Sequence, residues 1–258
     1  MRILLPPSES KTTPAQGKPL DLLCLSHPDL TAPRRALLAA LTTVCTDEPS
    51  RALSVLGLTS NQTEEVVRNQ TLWTAPAAPA WQIYTGVLYG ELDAATLTPL
   101  QRARLAERVW IASALFGFVD FSDPIPAYRL SGDATLPNIG ALTGFWREHL
   151  TPLLEREPGL IVDLRSGTYV KLAPLPASVG ERAVVPRVLQ KMPSGPPKLL
   201  THFNKATKGR LVRAMAQYKG QMRSPQDFAQ LVAKQGMDVT LTPPVRSGQA
   251  YQMDIVTL

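Results

Sequence analysis

GLIVDLRSGTYVKL, residues 159–172, decides how the rest of the chain is read. Residues 160–164 form an apolar run of strand length, and a polar turn follows at once: Arg165, Ser166, Gly167, Thr168, Tyr169, with Lys171 close behind. The opening RILLPPSESKTTP repeats the layout without repeating the sequence: a buried strand over residues 3–5, then hydroxyls and Lys11. Ligands of α/β sheets collect outside the carboxyl ends of strands, so two such strand ends in one sheet predict one shared cleft. The opening turn is not a phosphate-binding P-loop, because the glycines and the GK[ST] spacing are missing.

Working outward, residues 109–115 read as a central strand, and RAVVPRVL, KLLTHF, MDVTLTPP and QAYQMDIVTL as further strands, the last two a closing pair. Residues 33–70 read as helices. Asp47 or Ser50 is placed to start the second, Gly57 breaks it, and Ser60 is placed to cap a third with Glu64 in its first turn. A helix, a short Gly-containing turn and a helix outline a helix-hairpin-helix element, which can aim backbone amides at a nucleic-acid phosphate. WQIYTGVLYGELD carries Gly86 and Gly90 among β-branched and aromatic residues, the mark of a bend or a close backbone approach. Helices capped by Thr98–Pro99 and by Ser224 follow, the latter stopped by Gly236; residues 141–154 form an amphipathic helix with Phe145, Trp146, Leu150 and Leu153 inward. Asp123-Pro124 and Ile125-Pro126 force an extended path that fixes Tyr128 and Arg129, the arginine facing Asp120, Asp123 or a ligand anion.

Charge is unevenly laid out. Residues 182–223 hold ten basic residues and no acidic one, while the whole chain has a net charge of +6, so the remainder sums to −4. The basicity peaks in HFNKATKGRLVRAMAQYKG, residues 202–220, a helix that Asn204 can cap. Leu211, Ala214, Met215 and Tyr218 share its core face; Lys205, Arg210 and Arg213 share the other, with Lys208 at the border. A surface of one sign attracts anions.

The composition suits a chain of 258 residues with a substantial core, folded as one body over 1–258 with 33–70 as a helix-hairpin-helix-like subregion. Cys24 and Cys45 give no disulfide framework, which fits a reducing cytoplasm. No run approaches the ~20 apolar residues of a membrane span. His27, His149 and His202 have no metal-ligand neighbours at useful spacing, so no metal site is assigned and no cofactor is expected. Ser8, Ser10 and Lys11 raise a Ser–Lys nucleophile as one idea, but a lysine base needs its pKa lowered by burial, which a sequence does not display.

Six segments, ILLPPSESKT, YTGVLYG, ALFGFVDFSDPIPAYRL, GFWREHL, IVDLRSGTYVKL and HFNKATKGRL, occur in this order along the chain. Together they resemble the YaaA family of bacterial proteins linked to peroxide stress. The resemblance implies a cytoplasmic protein that limits damage from free intracellular iron, with a single α/β body, a helix-hairpin-helix element, a basic cleft and DNA binding. Carried over by position, the cleft residues are Ser10, Lys11, Tyr84, Thr85, Gly86, Arg129, Ser166, Tyr169, Lys171, Lys205, Lys208 and Arg210. Two departures stand out: PPSESKT replaces the shorter SPAKT of the better-known branch, and LGLTSNQTEE ends in acids. The second moves the expected anion contact from the hairpin to the NKATKGR helix and the strand-end lysines.

Two readings follow. In the first, a monomer binds DNA with little sequence preference, through phosphate contacts that include Lys208 and Arg210. In the second, an enzyme holds a nucleotide or other phosphorylated small molecule, with Tyr84, Ser10 or Tyr169 moving protons. A long open groove separates the first from the second, which needs a mostly buried lysine in a deep pocket.

Overall fold

The apolar runs build a seven-stranded sheet in a computed structural model that describes residues 1–191 and 201–257. Its strands are β1 (Arg2–Leu5), β2 (Val109–Ser113), β3 (Gly117–Asp120), β4 (Ile161–Asp163), β5 (Ala183–Gln190), β6 (Asp238–Thr242) and β7 (Tyr251–Thr257). They lie in the order β6-β7-β5-β4-β1-β2-β3. β1 pairs in parallel with both β2 and β4, with Leu4 opposite Trp110 on one side and Asp163 on the other. β5 continues the parallel set to β4 and β7, and the antiparallel strands β3 and β6 close the edges. Central parallel strands are covered on both faces, which is why Ile3-Leu4-Leu5 and Val109-Trp110-Ile111 are unbroken apolar runs. Each such buried side chain contributes about 1.5–3 kcal/mol relative to exposure.

The helices are α1 (Thr31–Asp47), α2 (Pro49–Val55), α3 (Thr63–Gln70), α4 (Val87–Leu92), α5 (Pro99–Arg108), α6 (Leu142–Arg156), α7 (Gly167–Leu172), α8 (Thr201–Gln217) and α9 (Pro225–Lys234). Sheet and helices share one hydrophobic core, giving a mixed α/β fold in a single compact body. Thr98 and Ser224 cap α5 and α9 through their side chains, each followed by proline at the first helical position. Trp146 and Leu150 of α6 are fully buried, and the Trp146 indole N–H donates to Ala114 O at 2.8 Å.

Several local expectations are corrected. Neither Asp47 nor Ser50 starts α2; Glu48 precedes it and Pro49, whose fixed φ suits a first turn, is its first residue. Thr59 rather than Ser60 caps the next turn, its N–H donating to Gln62 Oε1 at 3.1 Å. Gly57 does end α2, at φ +62°. The expected strand KLLTHF is not one where it can be seen: Thr201 to Phe203 are helical, and Lys198 to Leu200 lie outside the described residues. Asn204 is therefore inside α8 and does not cap it. A short apolar run carries no period that separates strand from helix. The bend expected in 81–93 is at Gly86, between a helical turn at Ala80–Ile83 and α4. The β2–β3 hairpin went unread because its second strand lies inside the motif taken as an extended path.

Topology places the gap above β1 and β4. The chain leaves β1, passes through α1 to α5 and the helical turn at Ala80–Ile83, and returns as β2 on one side; after β3 it crosses back to enter as β4 on the other. The strand order thus reverses at β1, the arrangement that opens a crevice at carboxyl strand ends.

Candidate functional site

A cavity of about 680 Å³ sits at that reversal, walled by residues 6–11 after β1 and 164–169 after β4. Its size falls within the ~300–1,000 Å³ of small-molecule sites. Residues 85–89 with the start of α4, residues 129–131, and Asn204, Lys205 and Lys208 of α8 close the other sides.

The first wall is stitched to α4. Tyr89 OH donates to Pro6 O at 2.8 Å, and the Thr85 N–H donates to Ser8 Oγ at 2.8 Å. Ser8 Oγ donates in turn to Ser10 O at 2.5 Å, which also accepts from Thr85 Oγ1 at 2.9 Å. Lys11 Nζ donates to Ser8 O at 2.9 Å and Glu9 O at 3.2 Å, and lies 4.3 Å from the centre of the Tyr128 ring. Burial first, then the neighbouring Arg129 guanidinium, pull the Lys11 pKa down to about 7. The Ser–Lys nucleophile is not assembled: Ser8 Oγ is taken by Thr85 and Ser10, and Lys11 by backbone carbonyls.

The second wall is pinned by a buried ion pair. Arg165 Nε and Nη2 donate to Asp163 Oδ1 and Oδ2 at 2.9 and 2.7 Å, with side chains 0% and 2% exposed. Arg165 Nη1 donates to Ala173 O at 2.8 Å, so the arginine spans the whole turn and α7. Lys208 reaches in from α8 and donates to Leu164 O at 3.0 Å. Burial lowers its pKa, opposed by Asp163. Expected at the border of a solvated face, Lys208 is buried.

Close approach makes this possible. At Gly209 a Cβ would stand 2.2 Å from Leu88 O, so the missing side chain is what brings α8 against α4. The extended path does fix Arg129, but not by pairing with Asp120 or Asp123. Arg129 Nη2 donates to Glu9 Oε1 at 2.5 Å. Its backbone is clamped by the fully buried Asn69 of α3, which accepts the Arg129 N–H at 2.9 Å and donates to Arg129 O at 2.7 Å. Asp123 instead accepts from the Ser26 hydroxyl at 2.8 Å and the Asp120 N–H at 3.0 Å, and His27 Nε2 lies 3.1 Å from Asp120 Oδ1.

Of the residues named from sequence, Ser10, Lys11, Thr85, Gly86 and Arg129 line the cavity, as do Ser166, Tyr169, Lys205 and Lys208. Tyr84, Lys171 and Arg210 are not among the described lining residues. Tyr84 is 2% exposed and hydrogen-bonds Tyr128 OH at 3.1 Å, itself 2.7 Å from Ser113 Oγ. Lys171 is exposed on α7, and Arg210 is turned to Glu91 at 2.9 Å. Burial raises the pKa of Tyr84, Tyr89, Tyr128 and Tyr169, so each phenol keeps its proton at neutral pH. In that form Tyr84 and Tyr169 can donate a proton but are not poised to accept one. Arg165, read only as part of the polar turn, lines the cavity too, and Glu9, Ser131 and Asn204 were not named for it from the sequence. Asn204 Oδ1 is buried without a hydrogen-bond partner among the described residues, an acceptor available to a ligand donor.

The sequence profile described as peroxide stress protein YaaA matches residues 1–237. The chain belongs to the YaaA family. A UPF0246 protein of Streptomyces coelicolor is 38% identical over 258 residues, covering 99% of this chain and 98% of that one. A UPF0246 protein of Corynebacterium glutamicum is 40% identical over 247 residues, 94% and 96% of the two chains, and one of Corynebacterium efficiens 41% over 245 residues, 93% and 95%. The YaaA-like segments quoted above converge here: ILLPPSESKT, YTGVLYG, the AYRL end of the third, IVDLRSGTYVKL and HFNKATKGRL all supply cavity walls. GFWREHL does not; it packs α6 into the core. Membership points to a role connected with peroxide stress. Among the described residues, no helix is long and apolar enough to cross a membrane, and no group of three or more His, Cys, Asp or Glu is placed to hold a metal.

Proposed function

We propose that this chain serves the peroxide-stress response of a bacterial cytoplasm by seating a phosphate-bearing ligand in the cavity at β1 and β4. The ligand is a nucleotide or another phosphorylated small molecule. The observation that carries this reading is the enclosure of Lys11 and Lys208 beside Arg129 and Lys205 around one site of ligand size. Lys205, exposed at the edge, meets the phosphate; Asn204 Oδ1 and the hydroxyls of Ser10 and Ser166 meet the polar remainder of the ligand. Protection against iron-driven damage is the outcome proposed for that activity. Neither cysteine sits in a setting that favours a thiolate. Cys24 Sγ faces Asp21 at 3.3 Å, which raises its pKa, and burial pushes Cys45 up to about 11. Peroxide attacks thiolates, and both surroundings disfavour that form.

Duplex DNA is the second reading, favoured by the net charge of +6 and by the ten basic residues of 182–223. Phosphates would then pass the cavity mouth at Lys205, and affinity would fall steeply with salt. Titrating a labelled duplex by fluorescence anisotropy at several salt concentrations, with mononucleotides as competitor, separates the two. Weak duplex binding, or displacement by a single nucleotide at low concentration, is the expected result. Tight, strongly salt-dependent duplex binding that mononucleotides leave untouched would replace the first reading with the second.

A further inference from the structure

Lys11 sits in a buried setting beside Arg129, with no carboxylate paired to its amine among the described residues. The two carboxylates near it are each engaged by an arginine: Glu9 by Arg129, and Glu65 by Arg68. Among the described residues no carboxylate contacts Nζ. Charged groups facing Lys11 are therefore Arg129 and Arg68 pushing its pKa down, and Glu65 and Glu9 pushing it up, with burial outweighing them all. Its polar contacts are Ser8 O and Glu9 O, and its ring neighbours are Tyr128 and the more distant Tyr84. Both phenols are held protonated and so add no negative charge. A neutral amine has two hydrogens and one lone pair. The two carbonyls match the two hydrogens and leave the lone pair unused.

We propose that Lys11 is the nucleophile of the cavity, an amine that forms a reversible imine with an aldehyde or ketone bearing a phosphate. A desolvated lysine beside a second cation is an established way to obtain such an amine. Nζ attacks the carbonyl carbon, the C–N bond forms, and the carbonyl pair moves to oxygen. One proton passes from nitrogen to that oxygen to give a carbinolamine. The second N–H proton follows as the nitrogen pair forms the C=N bond and the C–O bond breaks, so water leaves. Adding water reverses every step with no oxidant or reductant consumed. The phosphate half of this proposal rests on the cavity reading given above, while the amine half is read separately.

The test treats the intact protein at pH 7 with one equivalent of pyridoxal 5′-phosphate, reduces with borohydride and maps the labelled lysine by mass spectrometry. Pyridoxal lacking the phosphate and an excess of inorganic phosphate are run alongside. An amine with a pKa near 7 is half neutral there, whereas an ordinary lysine near 10.4 is less than ~0.1% neutral. Lys11 should take the label at least about tenfold faster than exposed Lys171, Lys205 and Lys219. Its labelling rate should rise with a midpoint near pH 7, and inorganic phosphate should slow it. Label on the exposed lysines in proportion to exposure, or on Lys208 with Lys11 unmodified, overturns the proposal even if nucleotides bind. Label on Lys11 that phosphate does not slow, equal for the two aldehydes, keeps the nucleophile and removes the phosphate seat. K11R, checked by its melting curve, should lose the fast label while remaining folded.

Discussion

Two regions of this molecule carry cations, and they use them differently. Residues 182–223 have ten in sequence with no acid between them, but the fold gives several of those among the described residues separate partners. Arg187 is held by Asp254 at 2.6 Å, Arg210 by Glu91 at 2.9 Å, and Arg213 donates to Leu92 O and Asp93 O at 2.9 Å. Arg182 donates to Glu157 O and Ser178 O. The cavity gathers its cations from four separate segments, three of them of mixed charge along the chain and the fourth, with Lys205 and Lys208, the part of the basic run that turns inward. The contrast shows that a one-sign run can mark a segment whose partners lie elsewhere in sequence. Free positive charge is decided by what packs against it.

The largest break in that contrast comes from the buried pair under the cavity. Asp163→Asn keeps the shape and removes the charge that Arg165 needs at a site where both side chains are at most 2% exposed. Breaking a buried pair on one side costs about 3–5 kcal/mol. The melting temperature should fall by about 10 °C at this chain length, and ligand affinity should fall with it as the 164–169 turn loosens. A variant that melts like the parent would mean the Arg165 guanidinium reaches water and does not pin the wall.

Gly209→Ala acts on the joint between the two regions. The added methyl would meet Leu88 O at 2.2 Å, so α8 must move off α4. Overpacking of this kind costs about 1–3 kcal/mol. The expected result is a moderate drop in melting temperature with a larger relative loss of binding, because the shift carries Asn204, Lys205 and Lys208 away from the strand ends. Unchanged binding would show that the α8 residues are bystanders to the ligand.

The strands were legible because residues 3–5, 109–112 and 160–162 are short, unbroken apolar runs, and the strand-end rule then located the cavity. Ser10, Lys11 and the 165–169 turn followed from that rule alone. What stayed hidden was direction and pairing. Arg210 and Lys208 are two residues apart on one helix, yet one meets Glu91, 119 positions away, and the other meets Leu164 O, 44 positions away. Asn69 was unreadable for the same reason: nothing in TEEVVRNQ says that its last asparagine clamps the backbone of Arg129. The extent of burial at Lys11 depends on Tyr84 and Tyr128, brought together by the fold from 44 residues apart.

The smallest effect tests the comparison most directly. Arg210→Ala removes an ion pair whose side chains are 60% and 37% exposed, a class worth about 0–1 kcal/mol. Its melting temperature should drop by no more than about 3 °C, and nucleotide affinity should stay within about twofold. Lys205→Ala should do the reverse, leaving stability unchanged while weakening nucleotide binding about tenfold, the loss of about one charge-assisted hydrogen bond. Both measurements, thermal melting and isothermal titration, apply to the same two proteins. If Arg210→Ala weakens binding as much as Lys205→Ala does, the outer face of α8 is an anion surface after all. The ten-cation segment would then regain the role that its sequence suggests and its ion pairs argue against.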